Sequence, residues 1–179
     1  MKTGTLTERL AKVELLILDV DGVLTDGRIV YDDAGGEIRF FHVRDGSILK
    51  LWTSLGKRAA IISGRRSKIV ERRALELDLS PVYQGYPDKL PALRRVIADT
   101  GIAPDRICAF GDDLPDLPIL RNVGVGIAVA DACAELCEHA DYVTKRPGGR
   151  GAVREVVEMI LKAQGLFQTR LTGWLAEVL

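Results

Sequence analysis

The 179 residues carry 25 basic and 25 acidic side chains, a formal net charge of zero and 47% hydrophobic residues. This suits one domain with a sizeable core and excludes the polybasic footprint of a nucleic-acid or membrane-surface binder. No apolar run approaches a membrane span. The N-terminal MKTGTLTERLAKVE lacks the apolar centre of a secretory signal, so a cytoplasmic protein is expected.

The first strong element, LLIL at Leu15–Leu18, runs into Asp19, Val20, Asp21 and Gly22. A continuous Leu/Ile run closed by turn residues reads as a strand buried on both faces, as in a parallel sheet. Asp19 and Asp21 then stand at its carboxyl end, where open α/β sheets bind ligands. Two crowded carboxylates repel and call for a cation, and Mg²⁺ favours oxygen ligands.

Next, RIVYDD and EIRFFHV flank a turn-forming Ala-Gly-Gly, which predicts a β-hairpin flap over about 28–43. Its apolar content is too high for a free ribbon, so it is expected to pair with copies from other subunits. Asp45 reads as the N-cap of a helix SILKLWTSL that stops at Gly56. KRAAIIS is a second buried strand ending at Ser63, and a helix follows from about Arg65 to Leu77. PVYQG is a short strand, and Tyr86-Pro87-Asp88-Lys89 opens a helix through about Thr100. RICAFGDD gives a strand ending at Asp112-Asp113. A short helix, the strand GVGIAVA, a helix near 132–139, the strand DYVT and a helix from Gly151 to about Gln164 complete the order. This alternation predicts an α/β fold: a doubly wound, Rossmann-like parallel sheet flanked by helices, as one domain over 1–179. The tail, 165–179, is hydrophobic enough that it is expected to dock. Cys108, Cys133 and Cys137 include no CxxC pair, so buried thiols in a reducing compartment are expected rather than a zinc site.

The carboxyl ends of the long strands hold Asp19/Asp21, Ser63/Gly64 and Asp112/Asp113, and Lys89 enters at a helix start. In this order, DVDG, IISG, a lone Lys, and GDD followed by Asp116 resemble the four motifs of the haloacid dehalogenase superfamily of phosphotransferases. The residue types suit phosphate-ester hydrolysis, in which positioning and charge neutralisation carry the rate. Asp19 can attack phosphorus and carry an aspartyl-phosphate. Asp21 can protonate the leaving oxygen and later activate water. The resemblance implies Mg²⁺ held by Asp19, the Asp21 backbone carbonyl and Asp112. Ser63 and Lys89 would hold phosphoryl oxygens, and Asp113 and Asp116 would position Lys89 or the metal's waters. Taken singly, each has an ordinary reading: Ser63 as a turn residue, Lys89 as a surface lysine, Asp113 and Asp116 as helix-start charges.

Superfamily members select substrates with inserted cap domains. Only a hairpin and a helix separate Gly22 from Ser63, and no domain is inserted between Ser63 and Gly111, so the chain reads as capless. DVDGVLTDG, the hairpin, HVRDG, SGRR and GGRGAVRE are similar to the 3-deoxy-D-manno-octulosonate 8-phosphate phosphatase family, which is tetrameric through hairpin contacts. That resemblance implies a homotetramer whose substrate-contacting residues are Asp21, His42, Val43, Arg44, Asp45, Gly46, Lys50, Arg65, Arg73 and Lys89. Arginine pairs with a sugar-acid carboxylate through a bidentate fork. Arg65 and Arg73, eight apart, are expected on one broad side of a helix. His42 stands where the family commonly has Asn. Relatives acting on nine-carbon sialic-type acid 9-phosphates typically carry an acid where Arg65 stands, which favours the eight-carbon substrate over that alternative. Two other classes remain open: a receiver-like phospho-acceptor, from which Ser63 in place of Asp departs, and a non-catalytic interaction module, against which the full acid set speaks.

Overall fold

The computed structural model describes residues 3–169 and 172. In chain order the first elements are α1 (Leu6–Ala11), β1 (Leu15–Leu18), β2 (Val30–Tyr31), β3 (Glu37–Ile38) and α2 (Val43–Ser54). They are followed by β4 (Arg58–Ser63), α3 (Lys68–Glu76), β5 (Val82–Gln84), α4 (Leu90–Thr100) and β6 (Ile107–Gly111). The last are α5 (Leu117–Arg121), β7 (Val125–Ala128), α6 (Ala134–His139), β8 (Tyr142–Val143) and α7 (Ala152–Ala163). Six strands form one sheet in the order β5-β4-β1-β6-β7-β8, every pair parallel. From β1 the chain builds outward through β4 and β5, then crosses to β6 on the other flank. The strand order therefore reverses beside β1, which opens the crevice that such sheets use for ligands.

The period-two alternation of the strands feeds two cores. Leu16, Leu18, Ile61 and Phe110 face α2, α3 and α7, whose Trp52, Val70, Val153 and Val157 fill one side. Leu15, Ile17, Ile62 and Ala109 face α4 and α5, meeting Leu93, Val96 and Leu120 on the other. Each buried Leu or Ile in β1 contributes roughly 1.5–3 kcal/mol over an exposed one. This double-sided burial explains the unbroken apolar run.

Three local expectations change. The hairpin pairs only Val30 with Ile38 and Tyr31 with Glu37, closed by the Gly36 amide donating to Asp32 Oδ1 at 2.6 Å. Asp45 does not cap its own helix: α2 begins two residues earlier, after an extended His42. Its carboxylate instead accepts from the backbone N–H groups of Gly151 (3.0 Å) and Arg154 (2.7 Å), so it caps the start of α7. Helix α3 starts after Ser67, whose backbone is extended and whose Oγ accepts from the Ile69 amide at 3.3 Å. Arg65 is thus outside the helix, and its helical spacing to Arg73 does not apply.

Two close approaches depend on glycine. Gly22, at φ +93°, lies where a Cβ would fall 2.0 Å from Asp112 Oδ2, and a Cβ on Gly148 would fall 1.6 Å from the Gly22 carbonyl oxygen. The loop before α7 therefore lies on the loop that follows β1, with the Gly149 amide donating to the Val23 carbonyl at 2.9 Å. Of the tail, Leu166 and Phe167 pack against the α7 side of the core. Leu171, Trp174 and Leu175, on which the docking expectation mainly rested, lie outside the described residues. Among the described residues no helix is long and apolar enough to cross a membrane.

Candidate active site

The carboxyl ends of β1, β4 and β6 meet in the crevice. Asp19 follows β1, Ser63 ends β4, and Asp112 follows β6; Lys89 comes in from the residue before α4. Lys89 Nζ donates to Asp19 Oδ1 at 2.5 Å and to Asp116 Oδ1 at 2.6 Å, with all three residues buried. Asp116 Oδ2 accepts from the amides of Asp112 (3.1 Å) and Asp113 (3.5 Å), tightening the turn that presents Asp112. Asp113 lies at the start of this turn and caps it. Ser63 is buried, and its Oγ accepts from the Arg65 amide at 3.3 Å.

The charge balance is uneven. Burial, then Asp116, pushes the Asp19 carboxyl up to about 8 even against the opposing pull of Lys89. Burial and Asp116 likewise push Asp112 up to about 7. Desolvation opposes the charge of Lys89, yet Asp19 and Asp116 outweigh it and hold the ammonium above the usual lysine range. Asp19, Asp112 and Asp116 offer oxygens within 4.8 Å of one another. Three carboxylates against one ammonium leave two negative charges unbalanced, the charge of one divalent cation. An all-oxygen donor set suits a hard ion such as Mg²⁺.

Asp21 stands at the edge of this cluster, under the hairpin. Arg39 Nη1 donates to its Oδ1, and Arg65 Nε lies 4.0 Å from its Oδ2. Glu37 gathers the surrounding donors: Arg39 Nη2 at 2.8 Å, Arg65 Nη2 at 3.4 Å and Ser67 Oγ at 2.7 Å. Arg65 also donates to the Tyr31 hydroxyl at 2.8 Å. The Arg39 hydrogen bond, against the effect of burial, holds the Glu37 carboxyl below the usual range.

The remaining expected substrate residues do not converge on this crevice within one chain. His42 and Arg44 line a separate cavity of about 440 Å³ with Lys145, Arg146, Arg150 and Arg154, and His42 Nδ1 is 3.4 Å from Asp45 Oδ2. Val43 and Arg73 border a groove beside Phe41, where Arg73 stacks 5.6 Å from the ring and pairs with Glu76 at 3.1 Å. Gly46 makes room for that arginine, since a Cβ there would fall 2.3 Å from Arg73 Nη2. Lys50 points outward and pairs with Asp78 at 2.5 Å.

The model of haloacid dehalogenase-like hydrolases matches residues 81–156. The chain is 46% identical over 153 residues to 3-deoxy-D-manno-octulosonate 8-phosphate phosphatase of Escherichia coli K12, covering 86% of this chain and 81% of that one. The chain belongs to the haloacid dehalogenase-like hydrolases. Among solved structures, the phosphatase of that name from Moraxella catarrhalis, in complex with magnesium, phosphate and KDO, superposes with a TM-score of 0.91 at 42% identity. The match covers 94% of this chain and 97% of that one. The cobalt-bound phosphatase from Haemophilus influenzae gives 0.86 at 38% identity, covering 89% and 93%.

For a hydrolase of this family the sequence reading omitted two residues of the crevice, Glu37 and Arg39. A usable signal was present. In Glu37-Ile38-Arg39-Phe40 the strand alternation puts both charges on one face and both apolar side chains on the other. The exposed Ile38 and Phe40 and the nearly sealed Arg39 side chain, 2% exposed, follow that pattern.

Proposed function

We propose that the chain is a Mg²⁺-dependent phosphatase that hydrolyses 3-deoxy-D-manno-octulosonate 8-phosphate to the free sugar acid and phosphate. The observation that carries this reading is the buried Lys89 bridging Asp19 and Asp116 beside Asp112 at the strand ends. Asp19, Asp112 and the Asp21 backbone carbonyl would hold the ion, which supplies positive charge against both the carboxylates and the phosphoryl group. One Asp19 oxygen attacks phosphorus, and the bond to the ester oxygen breaks as that oxygen takes a proton from Asp21. Water then attacks the aspartyl-phosphate, Asp21 takes its proton, and phosphate leaves with Asp19 restored. Ser63 and Lys89 steady the phosphoryl oxygens, and Lys89 offsets their charge. Asp116, and with it Asp113, fixes Lys89 and the Asp112 turn.

Arg65, half-exposed beside Asp21, would meet the substrate carboxylate. Val43 and Arg44 are exposed outside the crevice of their own chain, and with His42 they would complete a neighbour's site in a homotetramer, whereas Asp45 and Gly46 are buried in their own chain, and Lys50 and Arg73 pair there with Asp78 and Glu76. The hairpin's exposed Ile29, Ile38 and Phe40 supply an apolar surface for that assembly. A cysteine content of three with no CxxC pair suits a reducing cytoplasm.

Phosphate release from a panel of sugar phosphates tests the proposal. We expect Mg²⁺-dependent turnover with kcat/KM at least about tenfold higher for the eight-carbon acid phosphate than for a nine-carbon acid 9-phosphate. Faster turnover of the nine-carbon ester, or of neutral sugar phosphates, would reassign the substrate. Asp19→Asn should lower kcat by about a thousandfold or more while leaving the fold intact.

A further inference from the structure

We propose that Arg39 of the hairpin is the positioning residue of Asp21, so that the flap sets the proton-transfer step and not only the assembly. The inference rests on the reading of Asp21 as acid and base. Three observations support it. The Arg39 side chain is 2% exposed, sealed beneath the hairpin and directed at Asp21 Oδ1. Its second arm is fixed by Glu37 at 2.8 Å, and Glu37 is fixed in turn by Ser67 Oγ at 2.7 Å, at the N-cap of α3. Asp21 is thereby tied through two hairpin side chains to a helix rooted in the core. Finally, Asp21 follows β1 on a loop that must admit substrate, and among the described residues the only hydrogen bond to its carboxylate comes from Arg39.

A carboxyl that must meet a leaving oxygen loses efficiency when free to rotate, because proton transfer requires hydrogen-bond distance and alignment. Arg39 supplies the missing constraint: its rigid planar fork gives one nitrogen to Asp21 and the other to Glu37, which fixes direction as well as distance. The 2% exposure leaves Arg39 little surface for the substrate itself. Its effect is therefore exerted through Asp21.

The test measures how strongly cleavage depends on the leaving group. The parameter kcat/KM covers steps only through loss of the alcohol, so later hydrolysis of the aspartyl-phosphate does not enter. A phenolate such as 4-nitrophenolate leaves without a proton, whereas a sugar alkoxide does not. In Arg39→Met, we expect the ratio of kcat/KM for alkyl to 4-nitrophenyl phosphate to fall at least about tenfold, within the range of general-acid contributions. The fall should be the same for the sugar-acid phosphate and for glucose 6-phosphate, and Arg39→Lys should recover part of it. Because it is a ratio, it does not move with the fraction of folded protein, and the glucose 6-phosphate ratio is free of any contact that a neighbouring subunit makes with the sugar acid. Should Arg39→Met fail to fold, Glu37→Ala, which removes the acceptor of the second arm, should lower the same ratio by a smaller factor.

Equal losses on both leaving groups would overturn the proposal, and so would a fall confined to the sugar-acid phosphate, which would make Arg39 a carboxylate binder. Asp21→Asn separates the two levels. If it collapses the ratio and the Arg39 and Glu37 variants do not, Arg39 is not the positioning residue. If Asp21→Asn leaves the ratio unchanged, the assignment of Asp21 itself fails.

Discussion

Asp19, Lys89, Asp112 and Asp116 form a site whose charges do not cancel, and that has a thermodynamic consequence. The folded-state pKa values of Asp19 and Asp112 are pushed up to about 8 and about 7 from 3.8. With no metal bound, the folded chain holds more protons than the unfolded one between these limits, so stability falls as pH rises. Lys89 is shifted upward and stays charged throughout that window, so it does not reverse the sign. Thermal melts of metal-free protein should show Tm decreasing from about pH 5 to about pH 8, and Mg²⁺ should raise Tm more at the higher pH. An equal Mg²⁺ increment at both values would contradict this charge balance. Asp45 gives a second test. It accepts from two amides of the α7 N-terminus, so Asp45→Ala should cost about 1–2 kcal/mol in urea unfolding, the upper range for a lost cap. The spacing of Asp45 before an apolar helix was legible, but its capping partner was not, because the groups it satisfies lie more than a hundred residues away.

Glycine placement links the elements around the crevice. The Gly148-Gly149 turn lies against the loop after β1, and α7 starts just beyond it. Gly148→Ala would drive a Cβ into the Gly22 carbonyl, and the loop that carries Asp21 would have to shift. Loss of activity should therefore exceed loss of stability, with kcat down about tenfold or more and a smaller change in the urea midpoint. A variant with native kcat would show that the two loops move independently. The hairpin teaches the converse lesson. Its turn chemistry was readable from Asp32-Asp33-Ala34-Gly35-Gly36, yet only two residue pairs form. Beyond them, Arg39 turns in to Asp21, and the backbone pairs again at the Thr25–Phe41 bridge.

In the molecule as a whole, the hairpin has two faces with different duties. Glu37 and Arg39 face the crevice, while Ile38 and Phe40 stand exposed on the other side at 42% and 54%. Phe40→Asp should break the proposed tetramer, giving smaller species in sedimentation, and should raise KM for the sugar-acid phosphate by about tenfold or more. A tetramer that survives with unchanged KM would place the assembly surface elsewhere.

The parallel sheet, the strand ends and the acid set were fixed by local chemistry. A four-residue apolar run closed by Asp and Gly is too short for a helix and reads as a buried strand ending in a turn, and alternation with helices leaves few topologies. Partnership between distant side chains depended on the fold. Arg39 meeting Asp21, Arg65 standing outside its helix, Asp45 capping α7 and Arg73 stacking on Phe41 are matters of which surfaces packing brings together. Periodicity assigns a residue to a face; only the closed core decides what that face meets.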